Sequence, residues 1–209
     1  MTTALIVIDM QRDFCAPGGY ADQAGLDIGL LRAPIPAIQT LLDAARVRGL
    51  LVLHTREGHR PDLSDLPEPK RLRALNAGAT IGSQGPLGKL LVRGEYGHDL
   101  IDELQPLPGE PVIDKPGYSA FAATDLELLL RNRGISELII CGVTTEVCVS
   151  STLRSAVDLG YACTLVSDAC GSGYPELHAA ALAMVDVEGG LFGRVCDSRR
   201  LLAEWKDAP

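Results

Sequence analysis

Leu138-Ile139-Ile140-Cys141-Gly142-Val143-Thr144-Thr145-Glu146-Val147-Cys148 is the stretch that decides the fold. Its first four residues are an uninterrupted apolar run, the pattern of a strand buried on both faces. The residues after Gly142 lead into a helix predicted to begin near Cys148 and to end near Gly160. A strand passing directly into a helix is half of a βαβ unit, and sheets built from such units are parallel. The same stretch carries a chemical signal. A helix N-terminus has unpaired N–H groups and partial positive charge, which favour thiolate over thiol and can hold an oxyanion. Most free cysteines are instead small buried hydrophobes. Position alone leaves both readings of Cys148 open.

The alternation extends along the chain. Further strands are predicted at Leu5–Ile8 (ending at Asp9), Leu50–Leu53, Val112–Ile113 running into Asp114 and Lys115, Ala162–Val166 and Gly193–Cys196. Apolar residues at helical spacing mark Ile35–Val47, stopped by Gly49, a helix capped by Thr124 and closed by Gly134, and a third at Glu176–Val187. The fold class is therefore α/β, a mostly parallel sheet of about six strands covered by helices on both faces. Glu57 to His98 breaks the rhythm, being rich in Pro, Gly and charge. Within a single domain spanning residues 1–209, so long a segment is expected to be functional or an oligomer contact.

Composition narrows the function. A net charge of −8 with no basic stripe argues against nucleic acid. The first apolar run, Ala4–Ile8, is too short for a signal peptide or a membrane span, so a cytoplasmic protein with no membrane partner is expected. There its six cysteines should stay reduced. No CxxC pair suggests structural zinc.

In an open parallel sheet, ligands bind beyond the carboxyl ends of the strands. Asp9, Lys115 and Cys148 all fall there on this reading. Taken singly, Asp9 reads as a turn cap and Lys115 as a solvated lysine. Together they supply what amide hydrolysis needs. Asp9 takes the thiol proton and returns it to the leaving nitrogen. Lys115 is a positive charge beside both. Cys148 attacks the carbonyl, and water hydrolyses the thioester. Backbone N–H groups of Thr144 and Cys148 are candidates for the oxyanion hole.

Ile6-Val7-Ile8-Asp9-Met10-Gln11 with Asp13-Phe14, then Asp114-Lys115-Pro116, then Gly142 to Val149 resemble the isochorismatase-like cysteine hydrolases. The motifs span nearly the whole chain. The resemblance implies a Rossmann-like three-layer α/β/α fold, an Asp9–Lys115–Cys148 triad acting on small amides, a cis peptide at Val143–Thr144 aiming the Thr144 N–H at the oxyanion, and a homo-oligomer, dimer or tetramer.

Phe14 to Tyr20, His54 to Leu63, and Asp114-Lys115-Pro116-Gly117 with Ala123 to Glu127 look like the biuret hydrolase branch. That likeness implies a small ureido substrate. The chain departs from the branch at Tyr118, where a lysine is usual, and at Glu188, where a glutamine is usual. A carboxylate accepts N–H bonds, so Glu188 suits an elongated ureido compound such as triuret. Phe14, Tyr20 and Phe121 are candidate pocket walls. Nicotinamidases of the superfamily bind metal through Asp-x-His and a further histidine. This chain has Glu57-Gly58-His59 with no matching third ligand, so no metal and no cofactor are expected, and Arg56, Glu57 and His59 read as wall or interface residues. Cleavage of ureidoacrylate, an N-carbamoyl amino acid or nicotinamide is the same-chemistry rival. A catalytically silent metabolite-binding homologue is the rival of another class.

Overall fold

The computed structural model describes residues 2–207. Six strands form one sheet: β1 Thr2–Ile8, β2 Leu51–Glu57, β3 Val112–Lys115, β4 Ile135–Val143, β5 Ala162–Gly171 and β6 Arg194–Cys196. Their order is β3-β2-β1-β4-β5-β6, and every neighbouring pair is parallel. Helices α1 Ile35–Val47, α2 Glu68–Asn76, α3 Leu126–Asn132, α4 Ser150–Asp158, α5 Pro175–Val185 and α6 Ser198–Asp207 flank it. The apolar runs Ala4–Ile8 and Leu138–Cys141 are buried throughout, as strands covered on both faces must be. Helix α1 buries Ile35, Ile38, Leu41, Leu42 and Ala45, a stripe at helical period. Each large side chain of that stripe contributes roughly 1.5–3 kcal/mol by leaving water.

Strands β2, β4 and β5 run further than their apolar cores. β2 continues through His54, Thr55 and Arg56 to Glu57, and β5 passes through Ser167 and Asp168. The segment from Glu57 to His98 is not a bare loop. It contains α2 and a small antiparallel pair, Gln84–Gly85 with Gly88–Lys89, and it buries Lys70, Ala74, Leu90, Leu91 and Val92. A proline before α2 and another in its first turn hid the helix from a periodicity reading, although the first turn tolerates proline. Among the described residues no helix is long and apolar enough to cross a membrane.

The order reverses between β1 and β4, so their carboxyl ends diverge and open a crevice. Gly142, at φ 113°, lets β4 pass β1 here, since a Cβ at that position would lie 2.1 Å from the Ile8 carbonyl oxygen. Asp9, directly after β1, holds a left-handed φ of 50°. Its N–H donates to the Thr55 carbonyl at 3.2 Å, which ties this costly conformation to β2. The Val143–Thr144 peptide is cis. Residues Thr145–Val149 form a π-helical turn that runs into α4. The α-helix therefore starts two residues after Cys148, a correction to the predicted helix head.

Candidate active site

The ends of β1, β2 and β3 bring Asp9, Glu57 and Lys115 together beneath Cys148. Lys115 Nζ lies 2.7 Å from Asp9 Oδ2 and 3.4 Å from Glu57 Oε2, and donates to the Gly117 carbonyl at 3.0 Å. Neither Asp9 nor Lys115 reaches solvent. Burial alone would push Lys115 towards the neutral amine. The charges of Asp9 and Glu57 outweigh it, so the ammonium persists. Burial raises the Asp9 carboxyl above its ordinary range, Lys115 opposes this, and Glu57 adds to it. Thr55 Oγ1 donates to Asp9 Oδ1 at 2.6 Å. Oδ2 accepts from the Lys115 ammonium at 2.7 Å, and its second lone pair is open.

Glu57 is the residue in contact with the thiol. Cys148 Sγ donates to Glu57 Oε2 at 3.0 Å. Glu57 Oε1 pairs with Lys70 Nζ at 2.6 Å, and Lys70 donates to the Pro116 carbonyl at 2.6 Å. Burial works to raise the Glu57 carboxyl, but Lys115 and Lys70 pull it down to about 2. The thiol is pushed well above the ordinary cysteine value, by burial first and then by Glu57 and Asp9, with Lys115 opposing. This differs from the acidic thiol expected of a helix head. Two carboxylates and two ammoniums cancel, leaving no surplus positive charge for a thiolate.

Cys148 opens into a cavity of about 320 Å³, a size suited to a small metabolite. Phe14, Tyr20, Tyr118, Thr144, Lys70 and Arg73 are among its walls. Helix α2 supplies both cationic residues, so the irregular segment after Glu57 builds one side of the site. Phe14 and Tyr20 meet edge to face at 6.0 Å. Lys70 and Arg73 lie over the Tyr118 ring, 5.1 and 5.9 Å from its centroid. Phe121 stacks on Tyr161 and does not line the cavity. Glu188 is exposed, at φ 53°, and is also outside the lining. A larger cleft, about 830 Å³, involves Thr2, Arg46 and Glu110 near the opposite strand ends and carries neither cysteine nor histidine.

Ligand atoms of Asp9, Glu57 and Cys148 lie within 4.8 Å of one another. Both carboxylates already face lysine ammoniums. His59 turns its Nδ1 to Asp65 at 3.2 Å, and His98 Nε2 lies 3.7 Å from Asp114.

Residues 3–200 match the Isochorismatase domain family. The chain belongs to that family. Ureidoacrylate amidohydrolase RutB of Azorhizobium caulinodans is 38% identical over 206 residues, covering 97% of this chain and 91% of that protein. A cysteine hydrolase from Pseudomonas syringae pv. phaseolicola has a similar structure, with TM-score 0.83, 29% identity and coverage of 99% and 93% of the two chains. An isochorismatase family protein from Desulfovibrio vulgaris matches with TM-score 0.80 and 32% identity over 98% of each chain. The family-level resemblance and the Rossmann-like parallel sheet expected from the motifs both hold, and the chain is a hydrolase of the isochorismatase family.

Sequence reasoning read Glu57 only as a wall or interface residue, which it is at the cavity, and found neither its contact with the thiol nor Lys70 or Thr55. Glu57 had a usable signal. It ends β2 as Lys115 ends β3, and the two are register partners. Stopping β2 at Leu53, where the apolar run ends, concealed it. Lys70 had none, because it lies on a helix with few apolar residues whose docking is purely tertiary.

Proposed function

We propose that this isochorismatase-family hydrolase is a cysteine amidohydrolase of a small ureido compound, with Asp9, Lys115 and Cys148 as its catalytic groups. The observation that carries this is the buried Lys115–Asp9 pair, its open carboxylate lone pair beside a nucleophile at the floor of a small cavity. The thiol proton moves to Asp9 Oδ2 as Sγ bonds to the ureido carbonyl carbon, and the carbonyl π pair moves onto oxygen. Backbone N–H groups of Thr144 and Cys148 serve as the oxyanion donors, each worth about 10²–10³ in rate. When the carbonyl re-forms, the C–N pair departs with nitrogen, which takes the proton from Asp9 and leaves as ammonia. Asp9 then deprotonates water, hydroxide attacks the thioester, and the sulfur leaves and recovers its proton. The organic product is a carbamate.

The cavity wall favours a substrate with an acidic far end. Arg73 is exposed at the wall, stacked on Tyr118, and among the described residues no carboxylate pairs with it. A ureido acid such as ureidoacrylate or an N-carbamoyl amino acid suits this better than the triuret that Glu188 suggested or the biuret of the branch likeness. The 38% identity to a ureidoacrylate amidohydrolase supports the same choice. Ammonia release over ureidoacrylate, N-carbamoylsarcosine, biuret, triuret and nicotinamide tests it. A ureido acid should give the highest kcat/KM, and a preference for triuret or biuret would return the assignment to neutral substrates. Arg73→Gln should raise KM for the ureido acid about ten- to a hundred-fold, the loss of one charged hydrogen bond, and leave biuret unaffected. Equal effects on both would remove Arg73 from recognition.

Exhaustive chelation is expected to leave ammonia release unchanged, because Glu57 is already committed to two lysines. Loss of activity on chelation, restored by Zn²⁺, would assign a metal to the reaction.

A further inference from the structure

The mechanism above leaves Glu57 unused, although Glu57, and not Asp9, holds the nucleophile in the free protein. The contact restrains the thiol. A carboxylate that accepts an S–H hydrogen bond stabilises the thiol and repels the thiolate. Catalysis needs the proton to travel the other way, to Asp9, whose Oδ2 keeps one lone pair beyond its Lys115 contact. Something must first free the thiol from Glu57.

We infer that Glu57 gates the nucleophile: its Oε2 holds the Cys148 proton until a substrate N–H takes that oxygen, which releases the thiol to Asp9. This rests on the ureido reading above. The two Glu57 oxygens are not equivalent. Oε1 is committed to Lys70 at 2.6 Å, whereas Oε2 carries the thiol at 3.0 Å and a longer Lys115 contact at 3.4 Å. Oε2 is the exchangeable one, and Glu57 lines the cavity. A thiol is a weak donor and a ureido nitrogen a strong one, so the exchange runs in favour of the substrate. The charged and titratable groups facing the sulfur are Asp9, Glu57 and Lys115 from the strand ends and Tyr20 across the cavity, while Lys70 acts through Glu57. With Glu57 occupied by substrate, Asp9 is the remaining base among them. Moving the proton from sulfur to Asp9 leaves the net charge of the cluster unchanged. The nucleophile thus forms only when a donor-bearing substrate fills the cavity, and the resting thiol is shielded from electrophiles.

The test is modification of Cys148 by methyl methanethiosulfonate, a neutral reagent with no N–H, followed against pH by mass spectrometry in the parent and in Glu57→Gln. At neutral pH the variant should react at least about ten-fold faster, with its midpoint at least one pH unit lower. Its KM for the ureido substrate should rise about ten-fold. Equal or slower modification overturns the inference, and so does faster modification with an unchanged KM. Should the Gln variant fail to fold by circular dichroism, Glu57→Asp keeps the charge for both lysines but withdraws it from the sulfur, and must pass the same two assays. In the parent alone, the midpoint of kcat against pH must lie below that of thiol modification in the free protein, and coincident midpoints overturn the gate. Failure of the parent to release ammonia from every ureido compound would remove the proposed function instead, and the modification rates would still decide whether Glu57 holds the proton.

Discussion

Cys148→Ser is expected to abolish turnover while leaving the fold intact. The sulfur opens into the cavity with Asp9 and Glu57 oxygens within 4.8 Å, and on the proposed mechanism it is the nucleophile. A serine hydroxyl is far harder to ionise, and the cluster has no surplus positive charge to help it, since Asp9 and Glu57 balance Lys115 and Lys70. Asp9 alone would have to draw off the proton. A fall in kcat of three orders of magnitude or more, about 4 kcal/mol in barrier, is the expected result. Serine is smaller than cysteine and can still donate to Glu57, so the melting temperature should change little. Ammonia release within a few-fold of the parent would remove Cys148 from the mechanism.

Lys115→Met should cost both activity and stability, the largest stability effect expected in this chain. The ammonium is fully buried between Asp9 and Glu57, and Met leaves two buried carboxylates short of a counter-charge. Removing one partner of a buried ion pair costs roughly 3–5 kcal/mol. In a domain of this size each kcal/mol lowers Tm by about 2–4 °C, which gives a fall of roughly 6–20 °C. The pH dependence should change, since in the parent Glu57 and the raised Asp9 carboxyl act in opposite directions. In the parent, Glu57 is held down from 4.5 to about 2, so its stabilisation is full above the unfolded value and fades as pH falls through that window. Without Lys115, burial raises both carboxyls above their unfolded values. The folded variant then binds the extra protons and is less stable at neutral pH than in mild acid. Thermal melts at pH 7 and pH 5.5 check this. A variant melting within two or three degrees of the parent at pH 7 would mean that Lys115 is not the charge holding these carboxylates.

Asp9, Lys115 and Cys148 could be placed on one rim from the sequence because each follows, or ends, a stretch of strong apolar character, and parallel strands deliver their carboxyl ends to one rim, where the structure brings the three together. Glu57 obeys the same rule, but polar side chains in the second half of β2 masked the strand's true end. Phe121 was chosen as an aromatic and Glu188 from the resemblance, with no local feature pointing either at the cavity, and both lie outside its lining. The expected acidity of Cys148 was argued from Lys115 and the helix start, and in the structure burial, Glu57 and Asp9 act against Lys115 at the sulfur. Burial and neighbouring carboxylates act on the sulfur more strongly than a helix start two residues away.

By itself the sequence determined the parallel sheet and placed Asp9, Lys115 and Cys148 on one rim of it, because apolar runs, stop signals and strand ends are properties of neighbouring residues. Only the tertiary structure decided which carboxylate touches the thiol and which cations line the cavity. Glu57 meets Lys115 through the pairing of β2 with β3, and meets Lys70 because α2 folds back over the strand ends. Charge balance among residues so far apart in the chain is made by packing, and no local pattern encodes it.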